Sequence, residues 1–313
     1  MSITNYPFGV SSFGFPVTPN GMPFHSQTKY FFVDAVNGLD SYDGRSPEKA
    51  LRTLARAHAL MTDGKGDVAI VMPGSYAERL VPTKSHTKWI SATPWNPGLT
   101  QIVGDGNEGP TVDVGSDYLE GFMLHGFEVD VPAGIQWPCV RLITSDEGAS
   151  PAATASGYRG YVGNLQVRSN TTNKYPRYGL YLQGTTLCQF GPMLFSGCQI
   201  GIGLGGSAEN NPSDLDFWGP IVFYNNAVAD IATIGSQAGP QNSTPGDRAV
   251  YDIWFKETHH RGGATNYLNL GVIAAVRCMI SDMVTAADVA DDTMAVVPAG
   301  WTFFERQGRN IAS

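Results

Sequence analysis

Two stretches of this chain repeat one pattern. Phe195-Ser-Gly-Cys-Gln-Ile-Gly-Ile202 and Phe223-Tyr-Asn-Asn-Ala-Val-Ala-Asp-Ile231 each open on a phenylalanine, pass a Gly or Asn corner and end in a short apolar strand. The lead phenylalanines stand 28 residues apart, a spacing that belongs to stacked-coil architectures. Earlier segments make the same gesture: Ile102-Val-Gly-Asp-Gly106, Gly121-Phe-Met-Leu-His-Gly126-Phe127-Glu-Val129, Gly160-Tyr-Val-Gly-Asn-Leu165-Gln-Val167 and Gly179-Leu-Tyr-Leu182. One such coil cannot bury its inward side chains alone, so stacked neighbours must supply the core. Gly and Asn suit the corners because tight turns there need left-handed backbone angles.

Composition agrees. The chain has 313 residues with 37 glycines and 20 prolines, and only 15% of it is charged. A helical bundle would need far more Lys, Glu, Leu and Ala. Whole-chain disorder is excluded by a hydrophobic content of 42%. The net charge of −8 argues against nucleic acid or an acidic lipid surface as partner. No apolar run reaches the length of a membrane span, and Met1-Ser-Ile-Thr-Asn-Tyr6 shows no secretory signal. The four cysteines, Cys139, Cys188, Cys198 and Cys278, form no CxxC pair. They are expected to be small buried apolar residues in a reducing cytosol.

Residues 1–28 contain no Lys, Arg, Asp or Glu, yet hold five aromatics and four prolines. The prolines and glycines rule out a regular helix. A solvated tail normally carries charge, whereas these rings gain from burial. The segment is therefore expected to be an extended arm lying on another protein, with Tyr6, Pro7, Phe8, Phe13, Phe15 and Phe24 as contact residues; wrapping back over its own domain is the alternative.

At Tyr30-Phe-Phe-Val33 a strand begins, followed by a run of Asx and Asn-Gly or Asp-Gly turn signals holding Asp34, Asp40 and Asp43. These acids lack EF-hand spacing and are read as turn formers. A helix near 47–62 is predicted, capped by Ser46 or Thr53, from the spacing of Leu51, Leu54, Ala57/His58 and Met61. The strand Val68–Met72 and the sequence Gly74-Ser-Tyr76-Ala-Glu78 follow. The stretch FVDAVNGLDSYDGRSPEKALRTLARAHA, with GDVAIVMPGSYAE after it, resembles the opening of right-handed parallel β-helix proteins of the pectate-lyase-like superfamily. That resemblance implies a strand, loop and short helix capping the first coil. The expected fold is all-β: a right-handed parallel β-helix with a short N-terminal capping helix and an extended N-terminal arm. Its expected divisions are 1–28 as arm, 29–238 as β-helix, and 239–313 as last coils or a C-terminal β cap or oligomerisation region, bounded by the breaker-rich loop at 235–246.

Two glycine motifs do not read as nucleotide sites. Gly104-Asp-Gly-Asn-Glu-Gly109 is followed by the alternating segment Thr111–Val114, and Gly201-Ile-Gly-Leu-Gly205-Gly206 by a polar loop. Neither opens a helix, as a dinucleotide site requires. Glycan-cleaving chemistry needs opposed carboxylates. The best candidates are Asp214 and Asp216, on one face if their segment is extended, with Asp252 and Glu257 next. His259-His260-Arg261 suits a solvated loop better than a metal site, since adjacent strand residues point opposite ways. The six tryptophans are scattered and read as core or interface residues. No catalytic residue, metal or cofactor is assigned.

The opening MSITNYPFGVSSFGFPVTPNG followed by the FVDA-type coil resembles head-decoration proteins of tailed phages, cyanophages among them. That resemblance implies a homotrimer on the virion head surface, made in the host cytoplasm, whose arm lies on the major capsid protein. The competing expectation is a tailspike-like depolymerase acting on host surface polysaccharide. A bacterial surface or secreted lyase is a third, disfavoured by the missing signal.

Overall fold

The structure, a computed structural model, describes residues 11–12, 15–16, 28–104, 109–114, 119–131, 137–143, 160–168, 178–185, 187–206, 213–235, 249–263, 267–268, 274–276, 278–285 and 301–305. From Tyr30 onward every described strand pairing is parallel and joins one coil to the next. Three faces result. The first runs through Tyr30–Val33, Val68–Val71, Lys88–Ser91, Met123–His125, Tyr161–Gly163 and Gln189–Phe190. The second runs through Gly74–Ala77, Thr100–Val103, Glu128–Asp130, Leu165–Arg168 and Met193–Ser196. The long strands Ser213–Asn226 and Ala249–Gly263 turn from the first face into the second, so both belong to one 16-stranded sheet. The third face is a 6-stranded sheet from Val112–Val114 to Tyr267–Leu268. This is a parallel β-helix, its coils taking the right-handed sense that strand twist imposes on parallel crossovers. Strands Ala274–Val276, Cys278–Thr285 and Trp301–Glu305 continue the same sheet beyond residue 247.

The core is a set of ladders. On the first face Ala69, Trp89, Leu124, Val162, Phe190, Phe217 and Phe255 follow one another in register and are fully buried. Phe190 stacks on Phe217 at 4.3 Å between ring centroids, and Phe217 on Phe255 at 4.2 Å. On the second face Ile102, Val129, Val167, Phe195 and Phe223 form the inner row. The two phenylalanines of the sequence repeat occupy adjacent rungs, with centroids 5.7 Å apart. Glycines of the third face give these rings room. A Cβ on Gly179 would lie 2.4 Å from Phe195, and one on Gly201 would lie 2.6 Å from Phe223. The second glycine motif is therefore a packing device inside the strand Ile200–Gly206. In the first motif, residues 105–108 lie outside the described residues.

The predicted cap is present but shorter than expected. Pro47–Lys49 is a 3-10 turn and the α-helix is Leu54–Leu60. Thr53 is its N-cap, accepting from the Arg56 amide at 3.1 Å. The turn acids hold this region together. Asp34 accepts from the amides of Val36 and Asn37, and Asp40 from the amides of Arg52 and Thr53 and the Thr53 hydroxyl. The Gly-x-Tyr-x-Glu sequence has a structural meaning. Tyr76 is buried and donates its hydroxyl to the Met72 carbonyl at 2.8 Å. Glu78 accepts from the helix-start amides of Leu54 at 2.8 Å and Ala55 at 3.0 Å. At the other end of the helix Lys84 Nζ donates to the carbonyls of His58, Ala59 and Met61. Leu54 and Ala57 then close the end of the first coil. All four cysteines are buried and none is in a disulfide, and burial pushes the Cys188 thiol up to about 12.

Candidate functional site

A solenoid offers function only on its outward rows, because its inward rows are core. On the first face one outward row reads Lys88, Met123, Tyr161, Gln189, Asp216, Trp254 in register. Asp216, one of the predicted acids, sits here with its carboxylate held by Lys256 at 2.9 and 3.0 Å. Asp214 is exposed and has a φ of 52°. That left-handed residue interrupts the extended segment on which a shared face for the two acids depended.

Around Asp216 the coils bring together residues that lie far apart in sequence. Trp218 is 47% exposed and Trp254 is 40% exposed. Lys256 Nζ lies 4.5 Å from the Trp254 ring centroid and 6.0 Å from that of Trp218. The six tryptophans are thus not merely scattered: these two share one outer surface, bridged by a lysine. Two rungs before Asp216, Tyr161 lies down on the sheet. A Cβ on Gly163 or Gly191 would meet the Tyr161 hydroxyl at 2.1 or 2.5 Å, so only glycine leaves its ring a flat floor. Gln189 is exposed on the rung between Tyr161 and Asp216.

A second polar cluster lies on the outside of the second face. Gln101, Glu128 and Gln166 are in register, with Gln101 donating to Glu128 at 2.8 Å. The Pro97–Leu99 turn crosses above them, and a Cβ on Gly98 would sit 3.4 Å from a Glu128 oxygen. Burial raises the Glu128 pKa, opposed by Arg168 and the Gln101 bond. Burial first, and the Glu128 charge next, push Asp130 up to about 6. Asp130 can therefore both donate and accept hydrogen bonds in mildly acidic solution. Trp95 stands near the start of this turn with 70% exposure. On the third face Asp113 is clamped between Arg141, at 2.7 and 2.8 Å, and Arg79, at 3.2 Å. Both oxygens of the Asp113 carboxylate accept from these guanidiniums, so the triad locks adjacent coils.

The two histidines correct a sequence expectation. They lie in the strand Ala249–Gly263, not in a solvated loop. They do point opposite ways: His259 faces outward beside Glu257 at 2.7 Å, while His260 is fully buried beside Asp230 at 2.7 Å. Among the described residues no group of three His, Cys, Asp or Glu side chains could hold a metal ion. For Asp252 only the backbone is described. Tyr6, Pro7, Phe8, Phe13 and Phe24 lie outside the described residues, and for Phe15 only its antiparallel backbone pairing with Ser12 is described.

No family model and no curated protein matches this sequence. Among solved structures, a pectin methylesterase from Aspergillus niger is similar at 14% identity and a TM-score of 0.41, over 92% of this chain and 90% of that one. Pectin methylesterase PemA from Erwinia chrysanthemi gives 11% identity and a TM-score of 0.39, over 90% and 94%. A rhamnogalacturonan lyase gives 11% and 0.30, over 80% and 87%. The fold assignment stands on the strand register itself, and no chemistry is carried over from these distant neighbours.

Proposed function

We propose that this chain is a structural protein of a tailed-phage virion. It acts as a trimeric decoration, or cement, protein of the head. Residues 1–28 anchor it on the major capsid protein, and the β-helix stands as a rigid body above the shell. One observation carries the reading: the first coil is closed by its own helix, Leu54–Leu60. An uncharged arm with five aromatic rings is then not needed as a plug for the core and is available to a partner. Hydrophobic burial of such rings between capsid subunits is a sufficient adhesive. The depolymerase alternative loses ground because Asp216 is engaged by Lys256 and Asp214 departs from the extended strand.

The test is removal of residues 2–28. The truncated protein is expected to keep its melting temperature and its oligomer size while losing association with purified shells. Full occupancy of shells by the truncated protein would overturn the reading.

A further inference from the structure

We infer that the outward first face around Trp218 and Trp254 is a binding site for a neutral polysaccharide, independently of how the arm is used. Large aromatic rings in a soluble protein are mostly buried. Here two indoles, 47% and 40% exposed, flank Lys256 on neighbouring strands of a parallel sheet. The face of an indole is electron-rich and favours the polarised C–H face of a pyranose. The row from Tyr161 through Gln189 and Asp216 to Trp254 climbs one strand per coil. At about 4.8 Å per rung its ends are about 14 Å apart, the reach of a short oligosaccharide. Aromatic rings mark both ends, and an amide and a carboxylate lie between them to meet hydroxyl groups. This is the composition of a sugar site: apolar floor with few fixed polar groups.

Charge selects the class. Lys256 is the cation between the two indoles, and Asp216 neutralises it at 2.9 Å. The chain as a whole carries −8, which repels polyanions. An uncharged hexose polymer fits; a uronate polymer does not. A protein partner would use the same indoles as interface anchors, and the experiment separates the two.

The full chain is run in native gels cast with dextran, mannan, galactan or, as the acidic control, alginate. Retardation in at least one neutral polymer and none in alginate is expected. W218A and W254A should each weaken retardation about tenfold, with melting temperature and oligomer size unchanged. Trp95→Ala, on the second face, should leave it intact. Absence of retardation in all three neutral polymers would overturn the inference. So would retardation that survives W218A/W254A, or a loss of oligomer in that variant, which would assign the indoles to subunit contact. The arm-deleted chain should still bind the polymer, so failure of the cement reading and failure of this one are distinguishable.

Discussion

His260 Nδ1 lies 2.7 Å from Asp230 Oδ2 in the fully buried interior, across 30 residues of sequence. The imidazole continues the second-face stack, 5.1 Å from the Phe223 ring and tilted by 13°. Asp230 in turn accepts from Asn226 at 2.7 Å, and Asn226 accepts from the Cys198 amide at 3.1 Å. A polar chain therefore ties three successive coils where the hydrophobic stack would otherwise run on. Removing one partner and leaving the other buried groups unsatisfied costs about 1–3 kcal/mol. D230A is expected to lose that much in urea denaturation. The double variant D230A/H260F should recover part of the loss, because a phenyl ring fits the stack and leaves no stranded polar group. Equal losses in the single and double variants would contradict this role.

The glycines beneath the phenylalanine stack give a sharper steric prediction. Gly201→Ala puts a methyl carbon 2.6 Å from Phe223, and Gly179→Ala puts one 2.4 Å from Phe195. Overpacking of this kind costs about 1–3 kcal/mol. Gly64, whose added Cβ would meet nothing within 4 Å but whose φ is 69°, should lose only the smaller cost of left-handed backbone. Comparison of urea midpoints for the three variants checks the order.

Asp130 sets a pH dependence whose direction follows from its shift. Its folded pKa of about 6 stands above its ordinary value of 3.8, so the folded protein holds a proton that the unfolded chain releases earlier. Stability from this group is present below about pH 4 and declines as pH rises to about 6. Because the group is partly solvated, the effect is discounted to about 1–2 kcal/mol. Asp130→Asn should match the wild type at pH 4 and melt higher than it at pH 7. A gap between the two that does not widen with pH would show that Asp130 does not titrate as described.

The capping helix has only seven residues, too few to persist by propensity alone. Its ends are held by Glu78 and Lys84 from the next coil. Glu78→Ala or Lys84→Met should destabilise the first coil by about 1–2 kcal/mol. In hydrogen exchange the amides of 54–60 should lose protection first, with those of Phe190 and Phe217 unaffected at equal denaturant.

How legible these features were depended on whether they were local. The Phe195/Phe223 repeat, the Thr53 cap and the turn acids sit within a few residues of their partners or one coil apart, and sequence spacing reveals them. The Trp218–Lys256–Trp254 surface does not show itself in spacing. Its coil is longer than its neighbour, and the register slips between Phe217 and Pro220 where Gly219 takes a φ of 113°. The same variability hid His260: only the strand alternation fixed by Phe223 opposite decides that it points inward. Glu128 was missed because its signal is burial under the Pro97–Leu99 turn, which belongs to another coil, and Asp130 because its signal is burial with the Glu128 charge nearby.

The closed first rung gives the molecule a polarity in time as well as in space. Synthesis delivers residues 30–91 before any later coil exists, and this opening already carries its own lid of Leu54 and Ala57. Each coil that emerges afterwards finds a finished edge to copy, so assembly proceeds as a zipper with one fixed end. A slip introduced early would be inherited by every rung above it, which places the strongest demand for accuracy on the first coils.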